Sequence, residues 1–253
     1  MITNPHRGKL IVFEGLDGSG QTTQAQLLAK WFLEKRNQLA YYTKEPTDGP
    51  IGALLKLALN HRLVCARSNK PGPLDEVTMA LFFAADRSDH LNNEIVPKLE
   101  DGIHVITDRY YLSSLAYQSV VAEYQWIKEI NRHSIRPDLT FFLEVPAAIC
   151  LKRMQAQRWH MELYEDLRNL QKVWANFVTA IDELRSSGER IEVVDGTMPV
   201  KDVHREVVQR TKNFLRSITA PAKSKRSKEQ RQMDLLMGTE PLSELEIAAH
   251  REG

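Results

Sequence analysis

Residues 15 to 23 read Gly15-Leu16-Asp17-Gly18-Ser19-Gly20-Gln21-Thr22-Thr23. Glycines at this spacing, followed by a hydroxyl residue, form the phosphate-binding loop pattern, in which a lysine normally stands where Gln21 does. The glycines let backbone N–H groups turn inward around a phosphate. A helix that starts here offers its positive end to the same anion. The Thr22 hydroxyl is placed to ligate Mg²⁺. The plain alternative is a tight glycine turn between a strand and a helix, but the complete spacing favours phosphate.

Gln21 bears on mechanism. A lysine would carry a full positive charge to the β- and γ-phosphates of a bound nucleotide. Glutamine keeps a hydrogen-bond donor and loses the charge. Removing one preorganised electrostatic contact costs about 3 kcal/mol at a transition state, or on the order of a hundredfold in rate. Three outcomes are open. Another cation substitutes, with Lys44 or an arginine from a later loop as candidates; the protein is a slow enzyme; or it binds nucleotide without turnover.

The elements that must hold such a loop follow from hydrophobic period. Lys9 to Glu14 is a short apolar run ending at the glycine turn, which predicts a buried strand. Ala25, Leu28, Ala29 and Phe32 recur at helical spacing between Gln21 and about Arg36. Further strands are expected at 40–43, 103–107, 139–144 and 191–194. Helices are expected at 51–59, 75–99, 112–133 in one or two pieces, from Pro146 to about 156, 162–185 and 200–216. Residues 61–74, with Pro71-Gly72-Pro73, read as a loop, and 157–161 as a mobile one. Strands alternating with helices imply a parallel sheet covered on both faces, with ligands at the carboxyl ends of the strands. The expected fold class is α/β, a P-loop NTPase fold with a five-stranded parallel sheet in a three-layer α/β/α arrangement.

The chain resembles the thymidylate kinase family through elements in register between residue 9 and about residue 215. These are Phe13 to Gly20; Lys44-Glu45-Pro46-Thr47, with lysine where the family has arginine; Leu81 to Arg87; Asp108-Arg109-Tyr110 followed by Ser113 to Gln118; and Arg136 to Leu143. The resemblance implies phosphoryl transfer from Mg·ATP to dTMP, giving dTDP and ADP. It implies that Asp108 lies near Mg²⁺ and the phosphates and that Arg109 clamps the acceptor phosphate. Asp17 would lie near the acceptor's 3′ hydroxyl, and the Tyr117 ring against the sugar at its 2′ carbon. Lys44, Glu45, Pro46, Ser113 and Gln118 join the acceptor site. Phe83 and Arg87, four apart on one helix face, would stack on a base and reach a carbonyl oxygen. The family's lid usually carries a D-R-x-E run. Here Trp159-His160-Met161 stands about there, and Arg158, rather than Arg153, is the expected lid cation. A homodimer through packed helices is also implied.

The bulk composition excludes other classes. The 253 residues suffice for one α/β domain, and a net charge of +1 gives no global pull toward nucleic acid or membrane. Two cysteines, Cys65 and Cys150, form no disulfide framework and suit a reducing cytosol. A kinase domain is expected over 1–220. The basic stretch after Pro221, with Lys223, Lys225, Arg226, Lys228 and Arg231, reads as a flexible tail at 221–253 or a docking segment for a partner.

Overall fold

The computed structural model describes residues 1–36, 38–67, 70–156 and 163–219. The central sheet has strands β1 (Leu10–Glu14), β2 (Ala40–Lys44), β3 (His104–Asp108), β4 (Leu139–Glu144) and β5 (Ile191–Asp195). They are all parallel, in the order β2-β3-β1-β4-β5. β1 is central and buried along its whole length, as expected for an apolar strand covered on both faces. Side chains alternate across the sheet. Leu10 and Val12 join Val105, Phe142, Leu115 and Phe177 in one core. Phe13 and Phe141 point the other way, and their rings stack 5.2 Å apart. Each fully buried apolar side chain of this kind contributes roughly 2 kcal/mol.

The helices are α1 (Gln21–Trp31), α2 (Pro50–Leu59), α3 (Glu76–His90), α4 (Val96–Glu100), α5 (Tyr111–Tyr117), α6 (Tyr124–Ile130), α7 (Ala147–Gln155), α8 (Leu163–Ser186) and α9 (Val200–Thr219). The expected strands each appear within a residue or so. One expected helix ends in a wider π turn, at Phe32–Arg36, and another is divided by one at Leu91–Ile95. The stretch read as a plain loop contains a small antiparallel ribbon, Cys65–Arg67 with Lys70–Gly72. Its side chains alternate too briefly to signal a strand. Ile2–Thr3 also pairs with Ile135–Arg136, an unexpected parallel rung beside the main sheet.

The chain divides into two compact units, Met1–Phe214 and Leu215–Gly253. The expected mobile loop at 157–161 and the tail at 221–253 lie outside the described residues, as does Arg158. Among the described residues, no helix is long and apolar enough to cross a membrane.

Candidate active site

β2 and β3 end at one rung of the sheet, where Asp108 is paired to both Lys44 and Phe13, the last residue but one of β1. The residues that follow each strand therefore converge. Glu45 N donates to Asp108 O (3.0 Å) and Arg109 N to Phe13 O (2.9 Å), extending the ladder one step into the loops.

The glycine loop leaves β1 and enters α1. Gly18 has φ +83°, and a Cβ there would lie 2.7 Å from Cys150 O. Both features exclude a side chain. Gly20 is the N-cap of α1 in the left-handed region and brings no capping side chain. The leading N–H groups of α1 thus keep the anion-binding character of an uncapped helix start. Arg153 of α7 reaches over the loop. Its Nη1 donates to Gly18 O (3.3 Å) and Ser19 O (3.4 Å), and its Nη2 to Gly196 O (3.0 Å).

Thr22 Oγ1 donates to Asp108 Oδ2. The other carboxylate oxygen, Asp108 Oδ1, is buried with no partner, and burial raises the pKa of this carboxyl above its ordinary value. A buried carboxylate oxygen without a donor, beside a hydroxyl at the start of the phosphate loop, fits Mg²⁺. That ion takes one or two protein oxygens and completes its shell with phosphates and water. Among the described residues there is no group of three or more His, Cys, Asp or Glu arranged to hold a metal ion. A metal here would depend on a nucleotide for further ligands.

Arg109 adopts φ +72°, a left-handed conformation costly for a non-glycine residue. Its surroundings hold it there. Nη1 donates to Ser113 Oγ (2.8 Å) and Nη2 to Asp17 Oδ1 (2.8 Å). The guanidinium lies 5.0 Å from the centre of the Tyr117 ring. Tyr117 in turn accepts from Asp17 N at its hydroxyl (3.0 Å). Gln21 is buried, and hydrogen bonding fixes its carboxamide orientation. With the amide assigned so that donors meet acceptors, Nε2 donates to Ser19 Oγ (2.5 Å) and Leu16 O (3.1 Å), while Oε1 accepts from Arg109 Nε (3.2 Å) and Nη2 (2.7 Å); in the opposite assignment Ser19 Oγ donates to Oε1 instead. The reverse orientation would set donors against donors.

Two cavities meet at this point. One, about 720 Å³, is lined by Asp17 to Gln24, with Lys44, Lys56, Asp108, Arg109 and Arg153. The other, about 350 Å³, is lined by Phe83, Arg87, Arg109, Ser113, Tyr117 and Gln118, among others. Asp17, Glu45, Pro46 and Arg109 belong to both walls.

The second cavity rests on a buried charged floor. Arg87 Nε and Nη2 meet Glu45 Oε2 (2.9 and 2.7 Å), and Nη1 donates to Ser114 Oγ (3.0 Å) and to Asn131 Oδ1. A guanidinium has one N–H more than these contacts use. Glu45 Oε1 also meets His90 Nδ1 (3.1 Å), so this carboxylate is committed to holding Arg87. Asp86 fixes the neighbouring turn by accepting from Thr47 N (2.9 Å) and Thr47 Oγ1 (2.5 Å).

Sequence reading missed Glu14. It is fully buried at the end of β1 and accepts from Tyr110 N (2.9 Å), Ser113 N (3.2 Å) and Ser113 Oγ (2.5 Å). Burial pushes its carboxyl up to about 7, against the lowering effects of the Ser113 hydrogen bond and the Arg109 charge. A carboxylate ending an otherwise apolar strand was the available signal. Lys56 was also missed; it lines the larger cavity and pairs with Asp48.

A parallel sheet in this order, with a glycine loop and uncapped helix after its central strand, is a P-loop NTPase fold. A family profile described as thymidylate kinase matches residues 13–207. The chain is 36% identical to a probable thymidylate kinase of Thermococcus gammatolerans over 207 residues, covering 79% of this chain and 94% of the relative. It is 38% identical to one from Pyrococcus abyssi over 212 residues, covering 83% and 98%. It is also 38% identical to one from Pyrobaculum calidifontis over 199 residues, covering 78% and 93%. The chain belongs to the thymidylate kinase family.

Proposed function

We propose that this protein transfers the γ-phosphoryl group of ATP, taken with Mg²⁺, to the phosphate of dTMP, giving dTDP and ADP. The observation that carries the reading is the shared wall. A polar cavity around a phosphate loop opens onto an aromatic cavity of nucleoside size, and Arg109 lies on the boundary.

The larger cavity takes the donor. N–H groups from Gly18 to Thr23 and the Arg153 guanidinium cradle its phosphates. Thr22 and Asp108 hold magnesium, which supplies charge neutralisation at the phosphates when bound. The smaller cavity takes the acceptor: the base lies against Phe83 with Arg87 beneath, and the sugar against Tyr117 and Asp17. Ser113, Gln118 and Pro46 close its sides. Arg109, helped by Lys44, turns the acceptor phosphate toward the γ-phosphorus. An oxygen of that phosphate forms the new P–O bond as the bond to the β–γ bridging oxygen breaks, and ADP leaves. The attacking oxygen is already anionic, so positioning and charge neutralisation supply most of the rate without a strong base. Arg158 adds a lid cation in this reading.

We also infer a cytoplasmic homodimer whose kinase domain runs to about residue 220, with the basic tail as a docking segment for a partner. Exposed Leu54, Leu57 and Leu59 on α2 and Val77 and Leu81 on α3 support the dimer, as apolar surface in want of cover.

A coupled ADP-release assay with purified protein, Mg·ATP and dTMP tests the function. Turnover well above background, with dTMP preferred to dUMP, UMP and CMP, is expected. Background turnover with intact nucleotide binding overturns it in favour of a nucleotide-binding protein without kinase activity.

A further inference from the structure

The contact between the phosphate loop and the clamp has a chemistry of its own. Gln21 occupies the position where this loop type carries a cation for the donor phosphates. Yet its carboxamide, in a residue that lines the donor cavity, is engaged on the loop and on Arg109. Both polar atoms are used: Nε2 on Ser19 Oγ and Leu16 O within the loop, Oε1 on Arg109 Nε and Nη2. The residue is only 5% exposed. Arg109, for its part, holds a left-handed backbone that its own preferences oppose.

We propose that Gln21 is a positioning residue for the acceptor phosphate. It fixes the Arg109 guanidinium between the two cavities, and it does not replace the missing lysine at the donor phosphates. The inference rests on the kinase reading for the identity of the acceptor. A carboxamide suits this task because its oxygen accepts two N–H bonds without adding a second carboxylate to that of Asp17, which already faces the positive charge of Arg109. A carboxylate would cancel that charge, and an ammonium would repel it. The Ser19 and Leu16 contacts anchor the other end of the amide, so the orientation is set before any ligand enters. Charge delivery to the donor then falls to Arg153, already fastened to the loop carbonyls.

The consequence is measurable without catalysis. Gln21→Met keeps the length and removes both sets of hydrogen bonds. By calorimetric titration without ATP or Mg²⁺, this variant should bind dTMP about tenfold more weakly than wild type. Thymidine, which lacks the phosphate, should bind both proteins equally. In an Arg109→Lys background the Gln21→Met change should add nothing, because the partner it positions has gone. Unchanged dTMP affinity in Gln21→Met, with a raised KM for ATP, overturns the proposal, as does an equal loss of thymidine binding. Full multiplication of the two single effects in the double variant also overturns it. Lack of ADP release by wild type would overturn the kinase reading and leave this binding comparison intact.

Discussion

Thr22 donates its hydroxyl hydrogen to one oxygen of Asp108, and the second oxygen of that carboxylate is buried without a donor. Burial, with a smaller push from the Asp17 charge, raises the pKa of this group, and the Thr22 hydrogen bond and the Arg109 and Lys44 charges only partly offset the effect. The fold therefore maintains an anionic oxygen at a cost that a divalent cation would remove.

Asp108→Asn tests this directly. The neutral amide relieves the buried charge, so the unliganded variant should melt no lower than wild type. Its kcat/KM with Mg·ATP should fall about a hundredfold, the scale of losing one preorganised electrostatic group. Thermal melting and ADP release check the pair of outcomes. Activity within a few-fold of wild type would remove Asp108 from the metal site.

Arg109→Lys probes the fork geometry. Lysine keeps the charge but cannot bridge Gln21, Ser113 and Asp17 as the guanidinium does. KM for dTMP should rise tenfold or so, with a smaller change in KM for ATP. Steady-state kinetics with each substrate varied in turn provides the measurement. A rise confined to ATP would place Arg109 on the donor side.

Arg153→Met addresses the donor loop. It removes a guanidinium held on Gly18 O, Ser19 O and Gly196 O. KM for ATP should rise about tenfold while dTMP binding measured alone stays constant. Loss of dTMP binding would show a general collapse of the loop instead.

Glu14→Gln tests a pH dependence whose sign follows from linkage. The Glu14 pKa is raised from 4.5 to about 7, so between those values the folded protein holds more protons than the unfolded chain. Stability should therefore fall as pH rises through this window, with the penalty fully present above about 7. Its size is on the order of 3 kcal/mol at most. The amide mimics the protonated acid, so the variant should lose less melting temperature than wild type between about pH 5 and about pH 8. Asp86, Asp108 and Glu189, also raised by burial, leave a residual slope of the same sign in both proteins. Parallel melting curves would remove Glu14 as a source.

How much of this was legible depends on distance along the chain. The phosphate loop is contiguous, and its glycines carry their backbone requirement in the residue type, so the loop and α1 follow from Gly15 to Thr23 alone. The strands are short apolar runs, and the alternation of Leu10, Val12 and Phe13 between two covered faces is a local pattern. Phe83 and Arg87 were readable as one helix face, and both line the smaller cavity. Pairings across loops were not readable. That Glu45 is spent on Arg87 and His90, or that Gln21 faces Arg109, depends on where β2 and β3 end relative to β1. No periodicity encodes that. Arg153 was visible as a cation near the lid, but only the packing of α7 over the loop, with Gly18 against Cys150 O, brings it to the loop carbonyls.

The rung that ends β2 and β3 and lies one residue short of the end of β1 works as a gauge for the reaction. Because Phe13, Asp108 and Lys44 stand opposite one another, the Asp108 carboxylate and the Arg109 guanidinium leave the sheet at a fixed step from the glycine turn. Successive strand residues point to opposite faces, so a slip of β3 by one residue would exchange the two groups' directions. A substitution that loosened this register far below the cleft, at Leu10 or Val105, would disturb catalysis without touching a ligand. Inactive variants with intact cavities should therefore be sought in the sheet as readily as in the loops.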